Sequence, residues 1–200
     1  MQQSELLNEI ELHPNVGENA PDCTVINATT NLSCTLSSLW NEGPVVLVFL
    51  RHLGCTFCRE HIAQLQQDEE RFRMAGVKLC LITVAQPKDT LFFCQERDLV
   101  RSFVCLSDPY KQAYNAYGLS RGSMAKIFAP NVFARGFQAT LHGHFVGMPK
   151  GDPFQMPGLF AVDSQGVVLF AHRSKDVSDT PPNSLLFEAL QAGIGNDEAS

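Results

Sequence analysis

The sequence predicts an α/β protein in which a mixed central sheet is flanked by helices and begins with a β-hairpin. Three observations carry that prediction. Apolar runs rich in β-branched residues recur at residues 45–50, 77–85, 102–108 and 157–173, which suits strands covered on both faces. Stretches of helical period lie between the first three, and strands alternating with helices imply parallel pairing through right-handed crossovers. The last run is interrupted at Asp163-Ser164-Gln165-Gly166, a turn signal that makes it an antiparallel hairpin.

The elements follow in order. Residues 1–15 carry little pattern beyond a short helical face at Leu6, Leu7 and Ile10, and are read as an N-terminal arm. A single domain is expected over residues 16–195, since 200 residues with 44% hydrophobic content form one sizeable core and bury about 70% of the unfolded surface. CTVINATTNLSCTLSSLW reads as two short strands about an Asn-Ala-Thr-Thr-Asn turn, then a helical turn ending near Trp40, a core anchor. VVLVFL at 45–50 is a buried strand. After it, Ile62, Leu65, Phe72 and Met74 fall on one helical face, with Gly76 as the stop.

VKLCLITVA is the next strand, Pro87 opens a helix through Phe92, Phe93 and Arg97, and SFVCLSD returns to the sheet. Asp108-Pro109 reads as a cap followed by a first-turn proline, opening the helix YKQAYNAYG that Gly118 closes. Residues 121–156 break the rhythm, and so long a connection is uncommon unless it is functional or holds its own helix. Its aromatic and methionine side chains are read as cover for the core, as the interface of a homodimer, or, with Phe128, Phe133 and Phe145, as an apolar pocket for lipid-like peroxides. Asp163 is a turn former. Thr180-Pro181-Pro182 starts a last helix whose Leu185, Leu186, Phe187 and Leu190 cover the sheet.

Composition narrows the function. A formal net charge of −6 without a basic block argues against nucleic acid and anionic membranes as partners, leaving small molecules or protein thiols. No run reaches the roughly 18 apolar residues of a membrane span. The opening MQQSELLNEIELHPNVG is acidic where a secretory signal is basic, so a cytoplasmic location is expected. Seven cysteines scattered over the chain do not resemble a secreted disulfide framework.

Chemistry concentrates at CTFC, which sets Cys55 and Cys58 where a strand passes into a helix. Unpaired N–H groups and the helix dipole favour a thiolate there, and cysteines so placed have pKa values of roughly 3.5 to 7.5. Arg51, His52 and Arg59 lie close enough in sequence to add positive potential, and geometry decides which does. Cys80, Cys94 and Cys105 read as buried small hydrophobes, and Cys23 and Cys34 as free thiols that oxidation can pair. His52 and His61 stay open between ordinary surface histidines and a role at the site. Structural zinc would need two more ligands, for which Cys23, Cys34, His142 and His144 are the nearby-spaced candidates; His142-Gly-His144 reads as a turn, and no metal is expected.

The order of elements resembles the thioredoxin fold in its peroxiredoxin form. NVGENAPDCTVINATT resembles the opening segment of peroxiredoxins, VVLVFLRHLGCTFCREHIAQL their active-site strand and helix, and GLFAVDSQGVVLFAH their closing hairpin. HRSKDVSDTPP, with CxxC in place of a lone peroxidatic cysteine, resembles the peroxiredoxin-like 2 branch of the AhpC/TSA superfamily over about residues 16–192. Peroxiredoxins carry Pro-x-x-x-Thr/Ser-x-x-Cys; here His52 stands three residues before Cys55 and Val48 seven before, while counting back from Cys58 gives Cys55 and Arg51. Where a typical member has arginine before Gly-Leu-Phe, this chain has Pro157. Thioredoxins hold substrate with a cis-proline at the same place, so Met156-Pro157 is the expected cis bond, at a cost of only about 0.5 to 1 kcal/mol over trans.

The resemblance implies a thiol-dependent antioxidant or disulfide oxidoreductase without a cofactor. Cys55, expected to be the more exposed sulfur, attacks a peroxide or a disulfide, and Cys58 resolves the product as a Cys55–Cys58 disulfide. A thioredoxin-type donor or glutathione then reduces that bridge. The alternatives are two inert thiols in a noncatalytic binding module, or a reductase for a specific endoperoxide or quinone.

Overall fold

The computed structural model describes residues 13–119, 152, 154–176 and 178–197, the last four as backbone alone. Most of the expected arm, the 121–151 part of the long connection, and His142 and His144 lie outside the described residues. Strands β1 (Thr24–Asn27) and β2 (Leu32–Thr35) form the opening hairpin. Its turn is held by Asn27, whose Oδ1 accepts the Thr29 N–H at 2.9 Å. The short helix α1 (Ser37–Trp40) follows, then β3 (Val45–Phe49) and α2 (Thr56–Gln67). After α3 (Glu69–Met74) come β4 (Lys78–Thr83), α4 (Pro87–Glu96), a 3-10 turn (Leu99–Arg101), β5 (Phe103–Ser107) and α5 (Gln112–Ala116). β6 (Gly158–Val162), β7 (Val168–Arg173) and α6 (Asn183–Asp197) close the order.

The seven strands make one sheet in the order β2-β1-β5-β4-β3-β6-β7. β3, β4 and β5 pair in parallel, and the outer pairs are antiparallel, so the sheet is mixed as predicted. β3 shows why its sequence is apolar throughout. Val46 and Val48 face a core completed by Ile62 and Leu65 of α2, Phe72 of α3, Phe93 of α4, and Leu186, Phe187 and Leu190 of α6. Val45, Leu47 and Phe49 face the other core, with Trp40, Ala113, Tyr114 and Tyr117. Both faces are covered, as the two-residue period of a strand allows. Trp40 also seats the last hairpin: a Cβ on Gly166, at φ +83°, would stand 3.1 Å from its Nε1.

Three expectations need correction. The helix after CTFC is two helices, because Asp68 ends the first; its carboxylate accepts from Arg71 of α3 at 3.1 Å and from Asn183 of α6 at 2.8 Å. Met74 therefore leaves the buried face and is 77% exposed. Pro109 is not in a helical first turn, because Lys111 adopts φ +58° and restarts the chain; Asp108 still caps, accepting the N–H groups of Gln112, Ala113 and Tyr114. In α6, Leu186, Phe187 and Leu190 are buried, whereas Leu185 is 45% exposed. Cys80, Cys94 and Cys105 are buried as expected, and all seven cysteines are free.

Candidate active site

The site is built where β3 runs out. The Leu50 N–H still donates to the Ile82 carbonyl of the neighbouring strand at 2.9 Å. The hydroxyl of the fully buried Tyr114 shares its one proton between the Leu50 and Ile82 carbonyls, at 2.6 and 2.9 Å, so the last ladder position is tied to α5. The chain then turns. The Gly54 N–H donates to His52 Nδ1 and the Cys55 N–H to the His52 carbonyl, each at 3.1 Å, and α2 starts one residue later.

Cys55 is the N-cap of α2, in extended conformation (φ −73°, ψ 118°), and its Sγ accepts the Cys58 N–H at 3.4 Å. A sulfur here fills the place a Ser or Asp oxygen fills in other helices. Cys58 lies one turn along, close enough for its thiol to hydrogen-bond to Cys55 Sγ. The two sulfurs are pushed in opposite directions. The Cys58 thiol, the Cys58 N–H and the Arg51 guanidinium together lower Cys55 to about 7 against the cost of burial. Giving that hydrogen bond, together with burial, holds Cys58 well above the thiol range. One proton shared by two sulfurs thus leaves a thiolate on Cys55 and a thiol on Cys58 near neutral pH.

The predicted site residues divide under this geometry. Arg51 hydrogen-bonds to Cys55 and supplies the positive potential. Arg59 donates to the Leu53 carbonyl at 3.1 Å and interacts with both sulfurs; burial first, then Arg97, lower its proton affinity. His52 does not contribute charge. It is 7% exposed, and burial, with Arg51 and Arg59 beside it, pushes it down to about 4, so its imidazole is neutral and accepts through Nδ1. Its place in a buried turn overturns the surface reading.

Two further corrections concern exposure and the proline. Cys55 is not the more exposed residue of the pair: it is 3% exposed and Cys58 6%. As N-cap, Cys55 turns its side chain back over the helix end, within a stretch buried from His52 to Thr56. Met156-Pro157 is trans, like every peptide bond among the described residues. The chain enters β6 already extended: the Pro157 carbonyl accepts the Ser174 N–H at 3.3 Å, and Gly158 pairs with Phe49 and Arg173. Both residues nevertheless lie beside the CTFC segment. Met156 packs on Phe57, between the two cysteines in sequence, and Pro157 lines a cavity with Cys58.

Sequence reasoning missed Tyr114, an aromatic 56 residues after Cys58 with no local signal of its role, and Arg97, which ends α4 over the Phe93 ring at 4.4 Å. It also missed His172, whose Nε2 is 3.4 Å from Asp179 Oδ1. His61, left open, is half-buried; its Nε2 is buried without a hydrogen-bond partner among the described residues. Burial and the nearby His172 push it down to about 4. No three His, Cys, Asp or Glu side chains converge as a metal site among the described residues.

A model of the AhpC/TSA family matches residues 16–171. The prostamide/prostaglandin F synthase of Danio rerio is 31% identical over 173 residues, 82% of either chain. Peroxiredoxin-like 2C of Mus musculus is 25% identical over 162 residues, spanning 76% of this chain and 71% of the mouse protein. Among solved structures, peroxidoxin BcpB from Mycobacterium tuberculosis superposes with a TM-score of 0.60 at 19% identity, covering 89% of this chain and 95% of that one.

Proposed function

The chain belongs to the AhpC/TSA family, and on that premise we propose that it is a thiol oxidoreductase that reduces peroxide bonds through Cys55 and resolves the product with Cys58. The observation that carries the reading is the opposed ionisation of two hydrogen-bonded sulfurs at one helix end. The thiolate is the nucleophile, and a thiol with a pKa near ambient pH attacks best. Cys55 Sγ attacks one oxygen of a hydroperoxide: an S–O bond forms, the O–O bond breaks, and the departing alkoxide takes a proton. Cys55 is left as a sulfenic acid. Cys58 then attacks Cys55 Sγ, the S–S bond forms, the S–O bond breaks, and water leaves. A dithiol of the thioredoxin type, or glutathione, restores both thiols.

Burial of both sulfurs favours a small hydroperoxide over a protein disulfide as the oxidant. A second reading keeps the chemistry and changes the substrate. The likeness to a prostamide/prostaglandin F synthase supports reduction of an endoperoxide, whose O–O bond the same thiolate can open. The third, a binding module without turnover, predicts a Cys55 that never oxidises.

Turnover of hydrogen peroxide, of a bulky organic hydroperoxide and of a disulfide, each with a thioredoxin-type donor, tests the proposal in Cys55→Ser and Cys58→Ser. Both variants are expected to lose turnover, with Cys58→Ser still oxidising once to a trappable sulfenic acid. Full turnover in Cys58→Ser would mean a lone-cysteine mechanism, and turnover in Cys55→Ser would end the proposal.

A further inference from the structure

The resolving step has an unmet requirement, and a cavity beside Cys58 answers it. Cys58 is a thiol in the reduced protein because its hydrogen bond goes to the Cys55 thiolate. Once Cys55 carries oxygen, that acceptor is gone, and Cys58 must lose its proton before it can attack. It does so at 6% exposure, away from bulk water.

A cavity of about 20 Å³ adjoins Cys58, room for one water molecule. Phe57, Pro157 and the strand residues beside them make its apolar side; His61 of α2, His172 of β7 and Asp179 of the following connection make its polar side. His61 stands three residues after Cys58, on the same helical face. Its buried Nε2 has no protein partner among the described residues, an omission that is costly unless a water supplies the bond. His172 Nε2 is already engaged with Asp179, 3.3 Å from its carbonyl and 3.4 Å from Oδ1, so of the two imidazoles His61 has the nitrogen to offer.

We propose that the cavity holds one water linking Cys58 Sγ to His61 Nε2, and that His61 takes the Cys58 proton as the disulfide closes. The inference rests on the dithiol cycle proposed above. In the step, the Cys58 S–H bond breaks and its proton passes through the water to Nε2. The freed electron pair forms the S–S bond, the Cys55 S–O bond breaks, and hydroxide leaves and is neutralised by a proton. The sum is a sulfenic acid and a thiol giving a disulfide and water; His61 returns its proton to solvent. The groups facing His61 are Cys58 on its own helix, His172 on β7 and Asp179 on the connection. Burial and His172 keep its imidazole neutral at physiological pH and lower its proton affinity, so it is free to accept and holds the Cys58 proton only in passing, while the S–S bond forms.

The test is a single turnover with hydrogen peroxide, in which Cys55 sulfenic acid is trapped with a carbon nucleophile and the Cys55–Cys58 disulfide is counted separately by mass spectrometry. In His61→Gln, sulfenic acid should form within twofold of the wild-type rate, while closure slows at least tenfold and rises tenfold per pH unit as hydroxide replaces the internal base. Wild-type closure should be flat between pH 6 and 8. The wild-type profile decides even if the variant does not fold: a tenfold rise per pH unit there, or unchanged closure in a folded His61→Gln, overturns the inference and leaves the dithiol cycle standing. Absence of sulfenic acid in Cys58→Ser, together with absence of the disulfide in the wild type, would instead overturn the cycle and this step together.

Discussion

Two cysteine pairs share one apolar core, Cys55 with Cys58 and Cys94 with Cys105, and in each pair one sulfur hydrogen-bonds to the other. All four side chains are less than 10% exposed. Their chemistry differs because of what else touches them. Cys94 lies inside α4, where helix bonds occupy the backbone N–H groups; its thiol bonds to Cys105, whose thiol in turn donates to the Phe103 carbonyl at 3.7 Å. That chain ends on a neutral acceptor, and together with burial it drives Cys94 far above the thiol range. Cys55 lies at a helix start, where the Cys58 N–H is available and Arg51 bonds to the sulfur. Burial is common to both pairs. A helix end and a guanidinium separate a reactive thiolate from inert packing.

The reactive pair is also the one flanked by two neutral histidines, and their titration should give the largest effect. His52 and His61 have an ordinary value of 6.5 and are each pushed down to about 4. Below pH 6.5 the unfolded chain binds protons that the folded chain refuses, so stability falls as pH drops and levels off near pH 4. Each histidine should contribute up to about 1.4 kcal/mol per pH unit across that window. Urea unfolding from pH 7 to 4 measures it, and the slope should shrink in His52→Asn; an equal slope there would remove His52 from the account.

Tyr114 comes next, because it ties the strand end under the reactive pair and has no counterpart at the other. Tyr114→Phe removes both hydrogen bonds to the Leu50 and Ile82 carbonyls and should cost about 1–3 kcal/mol by thermal unfolding. A loss below 0.5 kcal/mol, the range of surface changes, would mean the tie is incidental.

Arg51→Met should make the reactive pair resemble the inert one. Cys55 should move up from about 7; the first unit of rise lowers the thiolate fraction at pH 7, and the peroxide rate with it, about fivefold, and each further unit about tenfold. The smallest effect belongs to the control. Cys94→Ala should cost about 1–2 kcal/mol of stability through lost packing, with peroxide turnover within twofold of wild type.

Much of this contrast could be read from the chain alone, and the rest could not, for a physical reason. VVLVFL, the CTFC helix start and the Asp163–Gly166 turn announce themselves through local periodicity and turn chemistry, and each folds as read. Burial of Cys94 and Cys105 follows from their apolar neighbours. What escaped depends on partners distant in sequence. His52 is neutral because its turn is buried, and Met74 is exposed because Asp68 finds Asn183 in α6. Arg51 and Arg59 were legible as charges near Cys55; that Arg51 bonds to the sulfur while Arg59 bonds to Leu53 needed the fold.

The central claim is that Cys55 alone is ionised near neutral pH. Thiolate absorbance at 240 nm, followed from pH 5 to 9 in the folded, reduced protein, tests it without requiring any reagent to reach the sulfur. The account predicts one thiolate per chain with a midpoint about 7, absent in Cys55→Ser and present in Cys94→Ala. No thiolate below pH 8.5, or the same titration in Cys55→Ser, would contradict it.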